Sequence, residues 1–334
     1  MLIAIEAAES ARGFSSPNPP VGAVILAAGG TIAGVGMTQP PGGPHAEVVA
    51  LRQAGAAAKG GTAVVTLEPC NHHGRTGPCA QALVEAGIAA VHYAIADPNP
   101  EAAGGAGALE KAGIEVTQGA RAEAVARGPL RAWLHKQRTG RPHVTWKYAA
   151  TLDGRSAAAD GTSQWITGPA ARARVHEDRA KLDAILVGTG TVIADDPWLT
   201  ARTADGSLAA RQPLRVVVGT RDIPAGSRIL DDAAPTLHLR THDVREVIDT
   251  LTDLTDVLVE GGPRLAGAFL AADGVDRIQA FVAPVILGSG AAAIGDIGVQ
   301  TIGDARTFRR ESVETIGPDT LLSLVRDGDS LIRD

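Results

Sequence analysis

The sequence predicts an α/β protein built from two domains. Its 334 residues exceed the usual size of a single hydrophobic core, so two cores of ordinary size are expected. Short apolar segments alternate with helical segments along most of the chain, and this alternation is typical of helices packed on both faces of a sheet. The segment RTGRP interrupts the pattern, so we place a boundary near Gly140 to Pro142, between domains of residues 1–141 and 142–334.

The first half begins with a predicted helix from about Leu2 to Arg12, followed by the loop SSPNPP. The segments VGAVIL and TIAGVGM, joined by AAGG, predict a hairpin. Pro44 is predicted to open a second helix, because proline is favoured in the first helical turn. Further along come the strand TAVVTLE, the helix CAQALVEAG, the strand AVHYAIA, the helix ALEKAG and the strand IEVTQG. Residues 121–136 have a continuous helical pattern, which closes the first half.

The second half repeats the alternation with different sequences. The strand HVTWKYAATLD is followed by a helix near Pro169 to Lys181 and by the strands DAILVGTGTV and LRVVVGT. After a variable stretch come the segment THDVREVIDTL, the strand DVLVEGG, the helix PRLAGAFLAAD and the strand RIQAFVAPVILG. We find no repeat between the halves, so each is expected to have its own chemistry.

Composition and charge exclude several classes of function. A net charge of −6 gives no basic face of the kind that nucleic-acid binding requires, so we expect a small-molecule ligand. The N-terminus MLIAIEAAES has no basic segment before its apolar residues, so it does not resemble a secretory signal, and a cytoplasmic location is expected. No charged residue lies between Arg12 and His45, but glycines and prolines interrupt this stretch, which favours the hairpin over a membrane span.

The two cysteines of the chain, Cys70 and Cys79, lie in the short segment EPCNHHGRTGPC. In a reducing compartment, paired thiols are more often metal ligands or nucleophiles than a disulfide. A catalytic zinc takes three protein ligands and keeps one position open for water, so one more ligand is needed. That ligand is either His72 or His73 of the same segment, or His45 in PHAEV.

His45 and Glu47 followed by the cysteines resemble the signature of zinc-dependent deaminases, HxE and later PCxxC, in which the glutamate is a general acid and base and does not bind the metal. The spacing departs from that signature, because Cys79 lies nine positions after Cys70 and the segment NHHGRTG is an insertion. Zinc lowers the pKa of a bound water to about 7, and the resulting hydroxide can attack an amidine-like ring carbon. Glu47 would take the proton of the water and deliver it to the ring nitrogen and the departing ammonia. A structural Cys2His2 zinc site formed with His72 or His73 is the alternative, and it would leave HAE without a role.

Longer segments carry a specific family resemblance. PNPPVGAVI, PHAEVVAL, VTLEPCNHHGRTGPC and ADPNP resemble the deaminase half of the bifunctional riboflavin-biosynthesis deaminase–reductases. KYAATLDGRSA, SQWITGPAAR, ILVGTGTVIADDPWLTAR, VEGGPRLAGAFL and APVILG resemble the reductase half, so the resemblance covers about residues 2 to 330. It implies a cytidine-deaminase-like three-layer α/β/α domain followed by a dihydrofolate-reductase-like α/β domain.

The resemblance also implies the reactions. The first domain would remove the ring amino group of 2,5-diamino-6-ribosylamino-4(3H)-pyrimidinone 5′-phosphate with the aid of Zn2+. The second would then reduce the ribosyl group to a ribityl chain with NADPH. Dimerisation through the reductase domains is expected from the family alone.

Site residues follow from the same resemblance. The implied zinc ligands are His45, Cys70 and Cys79, with Glu47 as the proton shuttle. The implied substrate contacts are Asn18, His72 and Arg75 in the first domain and Ser163, Arg179, Leu199, Arg202 and Glu260 in the second. The implied NADP contacts are Ala149, Trp165, Thr191, Asp195, Thr220, Gly262, Pro263, Arg264, Leu265, Ala266, Gly267 and Ala268.

Physical reasons support part of the reductase assignment. Gly261 and Gly262 end a strand before a helix, and the free amides of a helix start can hold a pyrophosphate, although glycine there is more often only a turn. Arg179 and Arg202 suit a phosphate, because a guanidinium offers paired donors. We further predict that Arg221 recognises the 2′-phosphate that distinguishes NADPH from NADH.

Two other classes of function compete with this interpretation. One is a deaminase of free nucleobases, nucleosides or tRNA with an unrelated C-terminal domain, and the long cysteine segment argues against it. The other is a zinc module without catalytic activity that docks a binding domain, for which Glu47→Gln would change nothing measurable.

Overall fold

The computed structural model describes residues 1–72 and 77–326. The chain divides into two compact units, one from Met1 to Gly140 and the other beginning at Arg141. Each unit has a sheet and hydrophobic clusters of its own, so each is described separately.

The first unit is a sheet with helices packed against it. Its strands are β1 (Gly22–Leu26), β2 (Ile32–Met37), β3 (Thr62–Leu67), β4 (Ala90–Ile95) and β5 (Glu115–Gln118). Its helices are α1 (Leu2–Ala11), α2 (Ala46–Ala54), α3 (Cys79–Glu85), α4 (Gly105–Lys111), α5 (Ala122–Arg127) and α6 (Arg131–Thr139), with a 3-10 turn at Gly55–Ala58. The strand order is β2-β1-β3-β4-β5, with β1 antiparallel to both of its neighbours and β3, β4 and β5 parallel.

Helix α2 lies directly against β2 because two glycines leave room for its backbone. A Cβ on Gly34 would lie 2.1 Å from the Ala50 carbonyl oxygen, and one on Gly36 would lie 2.1 Å from that of Ala46. Contacts so short are possible only without side chains. The start of α2, which carries His45 and Glu47, is therefore held at a fixed height above the sheet.

The second unit is a larger, mixed sheet. Its strands are β6 (His143–Thr151), β7 (Ala184–Gly188), β8 (Leu214–Val218), β9 (Thr236–Leu239), β10 (Asp256–Gly261), β11 (Arg277–Ala283), β12 (Phe308–Ile316) and β13 (Asp319–Arg326). Its helices are α7 (Pro169–Arg179), α8 (Thr189–Asp195), α9 (Val244–Thr250) and α10 (Pro263–Ala271), with 3-10 turns at Arg228–Leu230 and Ile302–Asp304.

The strand order of this sheet is β12-β13-β11-β6-β10-β7-β8-β9. Strands β6 to β11 run parallel, and β13 and β12 continue the sheet in antiparallel fashion. Strands β7, β8 and β10 are buried along nearly their whole length, which explains their Val-rich and Ile-rich sequences. The carboxyl ends of these three strands meet at one edge of the sheet.

The structure corrects three of the predicted elements. Helix α2 begins at Ala46 and not at Pro44, because His45 is an extended N-cap residue. The helical pattern of residues 121–136 forms two helices, α5 and α6, because Gly128 and Pro129 interrupt it. The predicted strand DAILVGTGTV ends at Gly188, and its last residues form the start of α8.

No helix in the described part of the chain combines the length and the apolar character that crossing a membrane requires. The interpretation of VGAVIL and TIAGVGM as a hairpin agrees with the antiparallel pairing of β1 and β2.

Candidate functional sites

His45, Cys70 and Cys79 come together at one point of the first unit. His45 is the N-cap of α2, Cys70 follows the end of β3, and Cys79 is the first residue of α3. The His45 Nδ1 atom lies 3.5 Å from Cys70 Sγ and 3.3 Å from Cys79 Sγ, and the three potential ligand atoms lie within 4.8 Å of one another. The backbone amide of Cys79 also donates to Cys70 Sγ at 3.4 Å.

These distances fit a tetrahedral zinc. With Zn–S near 2.3 Å and Zn–N near 2.0 Å, sulfur and nitrogen ligands are expected to lie about 3.5 Å apart. The observed separations of 3.3 and 3.5 Å are close to that value. Two thiols and one imidazole also leave a fourth position, which is the arrangement of a catalytic site.

The thiols are electrostatically unequal. A hydrogen bond from the Cys79 side chain is the main reason that the pKa of Cys70 is lowered, and the hydrogen bond with His45 lowers it further against the effect of burial. The same thiol–thiol hydrogen bond, together with burial, raises the pKa of Cys79. The pair therefore supplies a thiolate readily, and a thiolate is the form that binds metal.

Glu47 lies beside this centre and not within it. It belongs to the first turn of α2 and is only 4% exposed. Burial, followed by the charge of Cys70, raises its pKa to about 7. A carboxyl group with a pKa near neutrality can both accept and donate a proton, which is the requirement for a general acid and base at physiological pH.

The other residues predicted for the first site are less constrained. Asn18 is exposed in the loop before β1, and its backbone N–H donates to the Ser15 carbonyl at 2.8 Å. His72 is exposed in the turn after Cys70. Arg75, like His73, lies outside the described residues. The substrate contacts of Asn18, His72 and Arg75 therefore stay predictions.

Glycines follow the ends of β10 and β7 at the carboxyl edge of the second sheet, where β8 also ends. A Cβ on Gly262 would lie 3.2 Å from Thr191 Oγ1, so the turn after β10 contacts the start of α8. A Cβ on Gly190 would lie 3.0 Å from Arg221 Nη2, so the start of α8 in turn contacts the residue that follows β8. An elongated ligand could lie along this edge with close approach to the backbone.

The two ends of this sheet edge differ chemically. At one end, Pro263 opens α10, whose first amides point out of the helix. At the other end are Arg221 and Thr220, and the Thr220 hydroxyl lies 3.3 Å from His242 Nε2. Helix amides suit a pyrophosphate and a guanidinium suits a phosphate monoester. Asp195 is the last residue of α8.

Glu260, near the end of β10, forms a buried ion pair. Arg179 donates to it twice, from Nε to Oε1 at 2.6 Å and from Nη2 to Oε2 at 2.7 Å, and Lys147 Nζ lies 3.9 Å from Oε2. Burial alone would raise the pKa of Glu260, but the charges of Arg179 and Lys147 outweigh it and lower the pKa to about 2. The carboxylate is therefore ionised at neutral pH.

Arg179 has a third interaction in the same place. Its Nη1 donates to the Thr200 carbonyl at 3.0 Å, and His176 Nδ1 lies 3.1 Å from the same oxygen. All three nitrogens of Arg179 thus hold Glu260 and the segment of Leu199 and Thr200. Contact of Arg179 with a substrate phosphate stays a prediction.

The remaining predicted residues of the second unit have the following local settings. Leu199 is buried with a positive φ of 50°, an uncommon conformation for a branched residue. Arg202 donates to the Gly206 carbonyl at 2.8 Å and lies 5.5 Å from the centroid of the Trp198 ring. Ala149 is half-buried on β6, and Ser163 precedes α7.

Trp165 borders a cavity of about 380 Å³ near the start of α7. Its side chain is 68% exposed, and the Arg172 guanidinium lies 4.5 Å from its ring centroid. Val285 and Asp319 line the same cavity. An exposed indole on a cavity wall is suited to contact with a planar ligand ring.

Sequence reasoning missed two residues that share these sites. Lys147 is half-buried beside Glu260, and desolvation lowers its pKa against the effect of Glu260. A lysine within the apolar strand HVTWKYAAT was the available signal. Glu68, in the segment EPC, is buried and binds backbone amides, and no spacing rule indicates that role.

Fold and site together define the class of protein. The first unit has the buried carboxyl and the Cys2His centre of a zinc-dependent deaminase, and the second has a parallel sheet edge suited to a dinucleotide. Residues 1–95 match the family described as the cytidine and deoxycytidylate deaminase zinc-binding region, and residues 142–322 match the family described as the RibD C-terminal domain.

Curated relatives match along almost the entire chain. The riboflavin biosynthesis protein RibD of Mycobacterium tuberculosis strain H37Rv is 61% identical over 325 residues, covering 97% of this chain and 96% of the relative. The RibD protein of Escherichia coli K12 is 41% identical over 364 residues, covering 97% and 98%. The chain therefore belongs to the RibD family of bifunctional riboflavin-biosynthesis enzymes, with a zinc-dependent deaminase and an NADPH-dependent reductase activity.

Solved structures agree with this assignment. A deaminase–reductase from Thermotoga maritima has a TM-score of 0.87 and 34% identity, covering 97% of this chain and 96% of its own. The RibD of Acinetobacter baumannii has a TM-score of 0.84 and 38% identity, covering 96% of both chains. The predicted fold classes, cytidine-deaminase-like and dihydrofolate-reductase-like, are confirmed.

Proposed function

We propose that this protein deaminates 2,5-diamino-6-ribosylamino-4(3H)-pyrimidinone 5′-phosphate and then reduces the ribosyl group of the product to a ribityl chain. The observation that carries the proposal is the convergence of His45, Cys70 and Cys79 beside the buried carboxyl of Glu47. The deaminase–reductase from Thermotoga maritima, named for a phosphoribosylaminopyrimidine and a phosphoribosylaminouracil, supports the choice of substrate.

His45, Cys70 and Cys79 would hold the zinc ion of the first unit. When bound, zinc lowers the pKa of a water molecule and so makes it a nucleophile at neutral pH. The chain itself must then move the protons. Glu47 accepts a proton from the attacking water and transfers it to the ring nitrogen, then takes the proton of the newly added hydroxyl and gives it to the amino group, which leaves as ammonia.

The sheet edge formed by the carboxyl ends of β10, β7 and β8 would hold the cofactor of the second unit. When bound, NADPH would supply a hydride to C1 of the sugar, and the ring oxygen released from C1 would take up a proton from solvent. The amides at the start of α10 would bind the pyrophosphate, and Arg221 would bind the 2′-phosphate at the far end. Trp165 and Ala149 would lie near the nicotinamide, and Thr191, Asp195 and Thr220 would line the path between.

The sugar phosphate would lie near Glu260. This ionised carboxylate can accept hydrogen bonds from ribose hydroxyls, while Arg202 offers donors to the phosphate. The tight pairing of Arg179 and Lys147 with Glu260 keeps the carboxylate in place and prevents it from taking up a proton near neutral pH.

We also propose that each unit carries one activity, with residues 1–141 as the deaminase and residues 142–334 as the reductase. The two compact units and the separate ranges of the two family matches support this division. A homo-oligomer formed through the reductase domains and a cytoplasmic location remain predictions.

The decisive experiment incubates the protein with the diaminopyrimidine ribotide, with and without NADPH, and identifies the products by mass. We expect ammonia release and a uracil ribotide without NADPH, and the ribityl product with it. In the Glu47→Gln variant the first step should fail, while added uracil ribotide should still be reduced. Release of ammonia from cytidine, guanine or tRNA in place of the ribotide would overturn the proposal.

A further inference from the structure

The carboxylate of Glu68 is buried two residues before Cys70 and accepts three backbone hydrogen bonds. Glu68 is 8% exposed. Its Oε2 accepts from the amide of Asp97 at 3.1 Å, and its Oε1 accepts from the amides of Gly104 at 3.1 Å and Ala106 at 3.0 Å. Hydrogen bonds to an ionised carboxylate are stronger than those to a neutral oxygen.

The three donors belong to one segment, residues 97–106, which we call the β4–α4 connection. Asp97 lies at its beginning, just after β4, and Ala106 lies in the first turn of α4. One carboxylate therefore fixes both ends of the connection to the end of β3.

The β4–α4 connection in turn holds the residues on both sides of Cys70. The Asn71 amide donates to the Ala102 carbonyl at 3.0 Å. On the other side, the Pro69 carbonyl packs against Gly105, where a Cβ would lie only 1.7 Å from the carbonyl oxygen. The backbone of Cys70 is thus clamped through its two neighbours.

We propose that Glu68 is a positioning residue for the metal centre, because it directs Cys70 Sγ towards His45 and Cys79 through the β4–α4 connection. The inference rests on the proposed role of these three residues as zinc ligands. Groups that orient metal ligands from outside the coordination sphere commonly change metal affinity by about 10-fold to 100-fold when they are altered.

The substitution Glu68→Gln tests this role in the full-length protein with nearly unchanged shape. Glutamine keeps one acceptor oxygen and places an amide group against the N–H of Asp97 or against those of Gly104 and Ala106. We expect zinc transfer to a chromogenic chelator to become about 10-fold faster or more. In the cobalt-loaded protein, the thiolate-to-cobalt absorption band should shift or weaken.

A matched control and a second variant make the test selective. Glu110→Gln alters an exposed residue of the same helix, α4, and should leave both measurements unchanged. Ala106→Pro removes one of the three donors without changing Glu68, and proline is tolerated in a first helical turn. It should accelerate zinc transfer in the same direction by a smaller factor, and it decides the question if Glu68→Gln does not fold. NADPH binding serves as the check that the second unit is intact.

Each outcome has a definite meaning. Wild-type transfer rates and an unchanged cobalt spectrum in Glu68→Gln would overturn the inference, even if the variant unfolds at a lower temperature, because Glu68 would then stabilise the connection without directing Cys70. If the unaltered protein binds no zinc, the proposed metal site fails instead. A wild-type protein that binds zinc and releases it at the same rate as the variant refutes the positioning role alone.

Discussion

Replacing Arg179 by methionine removes one partner of the buried pair with Glu260. The pKa of Glu260 is about 2 against an ordinary value of 4.5, a difference that corresponds to about 3 kcal/mol of stability at pH 7. Because the folded-state pKa is the lower one, this contribution is present above pH 4.5 and is lost as the pH falls through about 2. Lys147 stays beside the carboxylate in Arg179→Met, so this substitution should lower the free energy of unfolding of the second unit by at most about 3 kcal/mol at pH 7 and at most about 2 kcal/mol at pH 3.5 through this effect.

Urea unfolding at the two pH values, followed by tryptophan fluorescence, measures the effect. Three of the four tryptophans, Trp146, Trp165 and Trp198, lie in the second unit. Arg174→Met is the matched control on the same helix, because Arg174 is 35% exposed and its ion pairs with Asp178 and Glu314 should each contribute less than about 1 kcal/mol. Equal losses in the two variants, or a loss that does not change with pH, would refute the reasoning.

Three further predictions concern the two activities. Glu47→Gln should slow ammonia release by about 10²-fold to 10⁴-fold without changing zinc content, because an amide cannot shuttle the protons; undiminished release would contradict this role. Removal of zinc by a chelator should stop ammonia release, leave reduction of the uracil ribotide intact and be reversed by added zinc, whereas loss of both activities would argue against separate sites. Arg221→Ala should weaken NADPH binding by about 10-fold or more and leave NADH binding unchanged. Titration calorimetry measures both affinities, with substitution of the exposed Arg245 by alanine as the control. An unchanged ratio of the two affinities would rule out the 2′-phosphate contact.

Much of the fold could be predicted because local sequence and global structure agree. Parallel strands buried on both faces need continuous apolar segments, and AILVG of β7 and LRVVV of β8 have them. The convergence of His45 with the two cysteines was predictable for a similar reason. All three residues lie at the starts of helices or the end of a strand, where short sequence signals are most specific.

The end of β7 shows where sequence reasoning fails. The segment TGTV contains β-branched residues and favours a strand, yet it forms the first turn of α8. Close packing of Gly190 against Arg221 and of Thr191 against Gly262 decides its conformation. Such contacts between distant segments override local propensity and leave no periodic signal.

The pairing of Arg179 with Glu260 could not be predicted from the sequence either. The two residues are 81 positions apart, and no spacing rule relates them. The sequence favours Arg179 as a phosphate ligand, because an arginine near a phosphate site has that role often. In the structure Arg179 pairs with Glu260 of β10. This pairing could be predicted only from the strand order of the sheet, β6-β10-β7.

Gly34 and Gly36 of β2 have no side chains, and this has a consequence for catalysis. Alanine at Gly34 or Gly36 would have to push α2 outwards by more than about 1 Å to restore an ordinary contact with the helix carbonyls, and a displacement of about 1 Å can already slow a positioned reaction by about 10²-fold. His45 is the N-cap of α2 and Glu47 lies in its first turn, so both would move with that helix. A mutation screen directed only at the pocket would therefore overlook two of the most rate-sensitive positions in the chain, which lie on the strand beneath it.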